Sequence, residues 1–357
     1  MRLSYHGFFL LILLGCFSLG AQTPDDASMS SRIEKGMVET IRNNFSGAEE
    51  IFWGLIRDYP RRPAGYFYLG ATYQARMLDE ENYDSLQAFT ELMDTTIKLA
   101  KECLKKNEND VWALFFEGSA YVYKSYMDSK LGKMWRSYRN AARGVNRLEK
   151  VLKKDSSFYD AYLGIGSFKY WKSSKTRSLK WLPFFSDERD RAIPLILKAI
   201  DKGKFTQRVG RDQLAWIYMD YGKPNLALQL ALQNYHEFPE SRFFRWTLVA
   251  AYYHHGELSR AYDLYAELLE EVRQLPTNNH YNEIVCLLRM AEIKYQLKDY
   301  FAVEKLTSEL LSLPLSEEVR KRTRKKRERA LELKQKSVVE LAKRNGTHSQ
   351  VSGGMGE

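Results

Sequence analysis

The feature that most restricts what this chain can fold into is a spacing of 34 residues. Leu214, Ala215 and Tyr218, followed by Ala227, Ala231 and Pro239, form one unit. Leu248, Val249 and Tyr252, followed by Gly256, Ala261 and Tyr265, form the next. Leu248 follows Leu214 by 34 positions, and Ala261 follows Ala227 by the same number. Near the start, Ala48, Phe52, Leu55 and Pro60 close one unit, and Tyr66, Leu69, Gly70 and Tyr73 open another. Large residues three and four apart share one face of a helix, and small ones let a second helix cross closely. The proline, which has no N–H to donate, ends that second helix. One helix pair cannot bury its apolar face alone, whereas a stack of pairs buries a continuous core.

This pattern resembles the tetratricopeptide repeat (TPR), W-x2-L-G-x2-Y…A-x3-F…P, with Tyr66 in the Trp place. Looser units follow the same plan. Trp112 to Tyr121 has Gly118 and Tyr121 in register, but Glu117 stands where the pattern has Leu. Ala161-Tyr162-Leu163-Gly164 opens another unit, with Ala192, Ile196 and Ala199 in its second helix. Met290, Ala291, Tyr300 and Leu306 mark the last. The resemblance implies an all-α solenoid of about seven helical hairpins over residues 30–315. Two insertions interrupt it, Leu78 to Ser85 and Lys172 to Phe185. The stretch Asp160 to Trp171 with its insertion is similar to bacterial TPR proteins of the exported type, whose role is uncharacterised.

The ends differ in character. Residues 1–21 read as a secretory signal, with Arg2, an apolar run from Phe8 to Leu14 and small residues up to Ala21. Leu13-Leu14-Gly15-Cys16 resembles a bacterial lipobox, so acylation of Cys16 is the alternative to simple cleavage. Residues 22–29 form a polar linker. Cys103 and Cys286 remain, in helical patterns, as small buried hydrophobes. After Pro314, Arg320, Lys321, Arg322, Arg324, Lys325, Lys326, Arg327 and Arg329 make a basic strip, the source of much of the net charge of +10. Residues 316–345 are expected as a basic capping helix whose Leu331, Val338 and Ala342 recur at helical spacing, and residues 346–357 as a disordered tail. The strip is either a solvated helix face or a docking strip for something anionic. Export argues against nucleic acid and leaves an anionic membrane surface or an acidic partner.

No phosphate-binding glycine loop, metalloprotease motif or nucleophile elbow is present, so neither enzyme activity, cofactor nor metal is expected. The adjacent His254 and His255 point about 100° apart on a helix and cannot face one ion together. The resemblance instead directs attention to the inner groove that TPR proteins line with first-helix residues. Transferred position by position, it implies Phe67, Trp112, Phe115, Tyr123, Phe158, Phe168 and Lys169 in the early units. Later units contribute Asp212, Trp216, Asp220, Phe243, Trp246, Tyr253, His254 and Tyr295. Many are aromatic, the residue class that hot spots use. Trp216, Trp246 and Tyr253 are expected to converge, with Asp212 and Asp220 as acidic edges. The function expected is an exported scaffold that binds a protein or extended peptide, in envelope assembly, secretion or transport. The alternative is a periplasmic binding protein holding a small apolar or aromatic ligand in the groove.

Overall fold

The computed structural model describes residues 23–176 and 187–352, with side chains through residue 343. Among the described residues there are fifteen helices and no strand. The first three hairpins are α1 (Ala27–Ile41) with α2 (Phe45–Asp58), α3 (Pro63–Glu80) with α4 (Leu86–Lys106), and α5 (Val111–Lys130) with α6 (Met134–Lys154). Next come α7 (Ala161–Lys175) with α8 (Arg189–Lys202), and α9 (Gln207–Asp220) with α10 (Pro224–Glu237). The last are α11 (Arg242–His255) with α12 (Leu258–Gln274), and α13 (Tyr281–Gln296) with α14 (Tyr300–Ser312), followed by the single helix α15 (Glu317–Ser352). The chain is therefore a solenoid of TPR-like helical hairpins.

Local chemistry sets the boundaries. Asp26 caps α1 by accepting from the Met29 backbone N–H at 2.9 Å, so the helix begins at Ala27, three residues ahead of the expected start. Asn44, Asp110 and Ser241 cap α2, α5 and α11 in the same way. Pro60 and Pro239 stand just beyond the ends of α2 and α10, where the pattern expects its stops. The acidic insertion is shorter than it reads: α3 runs on to Glu80, and Glu81 ends it in a left-handed conformation with φ 49°. Residues 1–22, including Cys16, and 177–186 of the second insertion lie outside the described residues.

Small residues draw the helices of a pair together. Ala227, Ala231 and Ala261 are buried at crossings. The backbones of α5 and α6 approach closely, and a Cβ on Gly144 would stand 2.7 Å from the Gly118 carbonyl oxygen. The odd-numbered helices also touch one another from hairpin to hairpin, α1 on α3, α3 on α5, α5 on α7, α7 on α9 and α9 on α11. The even-numbered helices make no comparable contact with each other. Odd helices are thus the inner layer and even helices the outer.

Curvature brings the first hairpins back onto the last. Ile41 at the end of α1 packs with Phe238 and Phe244. Arg242 grips the buried carboxylate of Asp79 through Nε at 3.1 Å and Nη2 at 2.5 Å, and its backbone N–H donates to Asn43. Arg208 pairs with Glu34, and Asn282 donates to the Asp79 carbonyl at 2.8 Å. The first two hairpins are therefore fastened to the fifth, sixth and seventh.

Helix α15 departs from expectation in two ways. Its backbone continues to Ser352, past the expected end at residue 345. Its packed stripe is Val319, Thr323, Ala330, Leu333 and Ser337, whereas Leu331 and Val338 face solvent. The small Thr, Ala and Ser side chains allow close contact with α13 and α14, and that contact selects the face. Cys286 is buried as expected, while Cys103 is only half-buried, within 3.8 Å of Arg62.

Candidate partner-binding surfaces

The inner layer holds the residues that the repeat pattern assigns to the groove. Phe67, Trp112 and Phe115 lie in the core. Phe67 meets Phe116 at 5.5 Å, and Trp112 and Phe115 meet Phe158 at 4.6 and 5.2 Å between ring centroids. The residues before α1 cover this cluster. Asp25 accepts from Trp112 Nε1 at 2.8 Å, and Lys204 donates to the Pro24 carbonyl at 2.5 Å while lying over Phe205. These rings offer no surface to a partner, because the tight curvature packs them against the chain itself. Tyr123 sits edge-on to Phe67 at 5.1 Å, and burial pushes its hydroxyl up to about 12. Phe168 is half-buried against the same cluster.

Only one of the two expected acidic edges reaches the surface. Asp212 is buried. Thr247 Oγ1 donates to its Oδ1 at 2.5 Å and itself accepts from Trp216 Nε1 at 2.9 Å. Desolvation pushes the Asp212 carboxyl up to about 7, opposed by the Thr247 hydrogen bond. Asp220, though exposed, accepts from Tyr170 at 2.7 Å and Ser174 at 2.8 Å. Trp216 is 41% exposed. Phe243 packs beside the Ile41 cluster, and Trp246 and Tyr253 are partly buried against the later core. Tyr253 accepts from Gln296 at 3.1 Å and lies under Arg289, and Tyr295 turns its ring onto Tyr300. Among the described residues no ring contact joins Trp216, Trp246 and Tyr253, and their expected convergence is not seen. His254 is exposed, and no three His, Cys, Asp or Glu side chains gather as a metal site among the described residues.

The basic strip is partly used inside the fold. Arg322 pairs with Glu81, donates to its carbonyl at 2.9 Å, and lies 4.3 Å from the Tyr83 ring and 4.5 Å from the Tyr281 ring. Lys130 reaches the same Glu81 at 2.8 Å, and Lys326 donates to the Tyr281 hydroxyl at 3.0 Å. Arg329 pairs with Glu332, Arg324 with Glu328 and Lys321 with Glu317. Arg327 is half-buried, and Arg320 and Lys325 stay exposed.

The outer layer carries a surface that the repeat pattern did not mark. A furrow of about 760 Å³ runs between α4 and α6 over α5. Trp135, Tyr138, Arg139, Ala142, Arg143, Asn146, Arg147 and Lys150 line it from α6, in alternating steps of three and one that form one helix stripe. Lys101 faces them from α4, and Glu117 and Tyr121 lie beneath on α5. Trp135 is 75% exposed and stacks on Tyr138 at 6.3 Å. Arg147 pairs with the buried Glu117 at 3.0 Å, and Arg143 lies 6.0 Å over the Tyr121 ring. The close Gly118–Gly144 crossing holds α6 so that its polar stripe faces outward. Two sequence features mark this surface in hindsight of the fold: Glu117 in a Leu position, and the polar periodicity of residues 135–150, which the repeat pattern leaves unread.

No protein-family profile and no curated protein matches the chain. Solved structures resemble it in fold. A thermophilic TPR protein of Thermus thermophilus aligns over 62% of this chain and 97% of its own, with 15% identity and a TM-score of 0.40. A tetratricopeptide repeat protein from Parabacteroides merdae aligns over 85% and 98%, with 14% identity and a TM-score of 0.38. The APC/C hetero-tetramer Cut9-Hcn1 aligns over 78% of this chain and 45% of the matched chain, with 14% identity and a TM-score of 0.49.

Proposed function

We propose that the chain is an exported protein-interaction scaffold of the cell envelope, which holds partner proteins on its outer surface and carries out no reaction of its own. The observation that carries this reading is the closure of the first two hairpins onto the later ones, through Arg242 on Asp79 and Arg322 on Glu81. Closure gives a stack of hairpins one fixed curvature. A surface already ordered before binding avoids the entropy of ordering it on contact. The inner layer is filled with packed rings, so a small ligand in the groove would have to displace core aromatics such as Phe67 and Trp112. Large rings left outside, Trp135 and Phe301 among them, favour contacts on the outer face.

Crosslinking in the native envelope tests the scaffold. The expected product joins lysines of the outer helices to a second polypeptide, and a product limited to crosslinks within the chain would overturn the reading. Export rests on the leader-like sequence of residues 1–21. Mass spectrometry of the protein from its native host should find a terminus near residue 22 or a diacylated Cys16. An intact Met1 would remove export from the proposal.

A further inference from the structure

We propose that the outer furrow between α4 and α6 binds an acidic segment of a partner protein in extended conformation, with an aromatic residue ahead of its acids seated against Trp135 and Tyr138. This deepens the scaffold reading and rests on it.

Charge is the first ground. Many arginines outside the furrow are neutralised: Arg208, Arg211, Arg242, Arg245 and Arg273 each pair with a carboxylate. Among the described residues, Lys101, Arg139, Arg143 and Lys150 of the furrow have no carboxylate partner. The one acid there, Glu117, is engaged by Arg147. The furrow therefore keeps an unneutralised positive field, which an anionic ligand relieves and a neutral one does not. Glu117, buried beneath the stripe, meets the Arg147 guanidinium as an ion pair without a hydrogen bond to either of its oxygens.

Spacing is the second ground. Arg139, Arg143 and Arg147 are four residues apart, which sets them about 6 Å apart along the helix axis. Alternate side chains of an extended peptide share one face and lie about 6.6 Å apart. Acids at every second position would therefore meet successive arginines. A helical ligand would match the same interval only with acids at every fourth residue. Asn146, exposed within the stripe, supplies both a donor and an acceptor for peptide backbone.

The same features argue against other polyanions. A single-stranded nucleic acid uses a succession of aromatic platforms. Here the exposed rings, Trp135 and Tyr138, stand at one end, while Tyr121 lies under Arg143. A membrane surface would meet cations that protrude together, whereas these line a recess.

The test is fluorescence anisotropy with the purified protein and a labelled synthetic peptide in which a tryptophan precedes four glutamates alternating with serines. The alternating peptide should bind more tightly than its isomer with the four glutamates contiguous. Arg139→Glu with Arg143→Glu, and separately Trp135→Ala, should each weaken it by about tenfold or more. Lys223→Glu with Lys305→Glu makes the same change in net charge on exposed residues elsewhere, and should stay within about twofold of the parent. Circular dichroism confirms that each variant remains helical. Equal loss in the control pair, equal binding of the isomer, or no binding of the peptide would overturn the proposal. Tighter furrow binding by an oligouridylate or by phosphatidylserine vesicles, lost in the Arg139→Glu/Arg143→Glu variant, would overturn the choice of occupant. Envelope crosslinks that survive in that variant while the peptide is lost would remove the furrow as the partner's site and leave the scaffold reading standing.

Discussion

Replacing Asp212 with Asn should make the protein more stable at pH 8 and remove much of a pH dependence that the parent shows. In the fold the Asp212 carboxyl is buried, with Thr247 as its hydrogen-bond donor, and its pKa is raised from 3.8 to about 7. The unfolded chain hydrates the same group and keeps the lower value. A carboxyl with a raised folded pKa takes up a proton on folding. Its stabilising contribution is fully present below pH 3.8 and is lost as the pH rises through about 7. A shift of roughly 3 pH units corresponds to about 4 kcal/mol over the whole range, and about 2–3 kcal/mol of that lies between pH 5 and 8. Asn keeps an acceptor for Thr247 and has no charge to bury. The measurement is urea denaturation of parent and Asp212→Asn at a series of pH values, taking the difference between the two curves so that the other carboxylates cancel. That difference should grow from pH 5 to pH 8 in favour of Asn. A flat difference would refute the reasoning and return Asp212 to the solvated acidic edge expected of an open groove.

Three further outcomes follow from the packing. Gly144→Ala should lower stability by about 1–3 kcal/mol in thermal melts, because its Cβ would meet the Gly118 carbonyl at 2.7 Å; a parent-like melt would mean that α5 and α6 are not in close contact. Arg322→Ala removes one of the two cations on the buried Glu81 carboxylate, and should raise hydrogen exchange in residues 317–343 while leaving α1 unchanged; unaltered exchange in α15 would show that the clasp does not hold that helix. Trp135→Ala should change stability by less than about 0.5 kcal/mol in urea, since its ring is mostly in solvent; a large loss would place Trp135 in the core.

The hairpins were legible in the sequence because the forces that make them are local. The 34-residue spacing, Ala227 and Ala261 at crossings, and Pro60 and Pro239 beyond helix ends each concern residues on one helix or its immediate neighbour. Glu117 in a Leu place was also visible, as a departure without a partner; only the fold brings Arg147 to it at 3.0 Å and opens the furrow above. The stripe on α15 was misread because Leu331 and Val338 are the more apolar residues, while contact with α13 and α14 favours the smaller Thr323, Ala330 and Ser337. Closure was beyond any pattern. A small rotation at each hairpin accumulates along the stack, and its sum decides whether the second hairpin meets the sixth. Here it does, bringing Asp79 to Arg242 across 163 residues. The same curvature, with the residues before α1 laid over Trp112, makes Phe67, Trp112 and Phe115 core rather than groove. Repeat identity is a matter of short-range periodicity and is written in the sequence. Which face of the repeat remains open depends on the summed curvature of the whole stack, which only the tertiary structure decides.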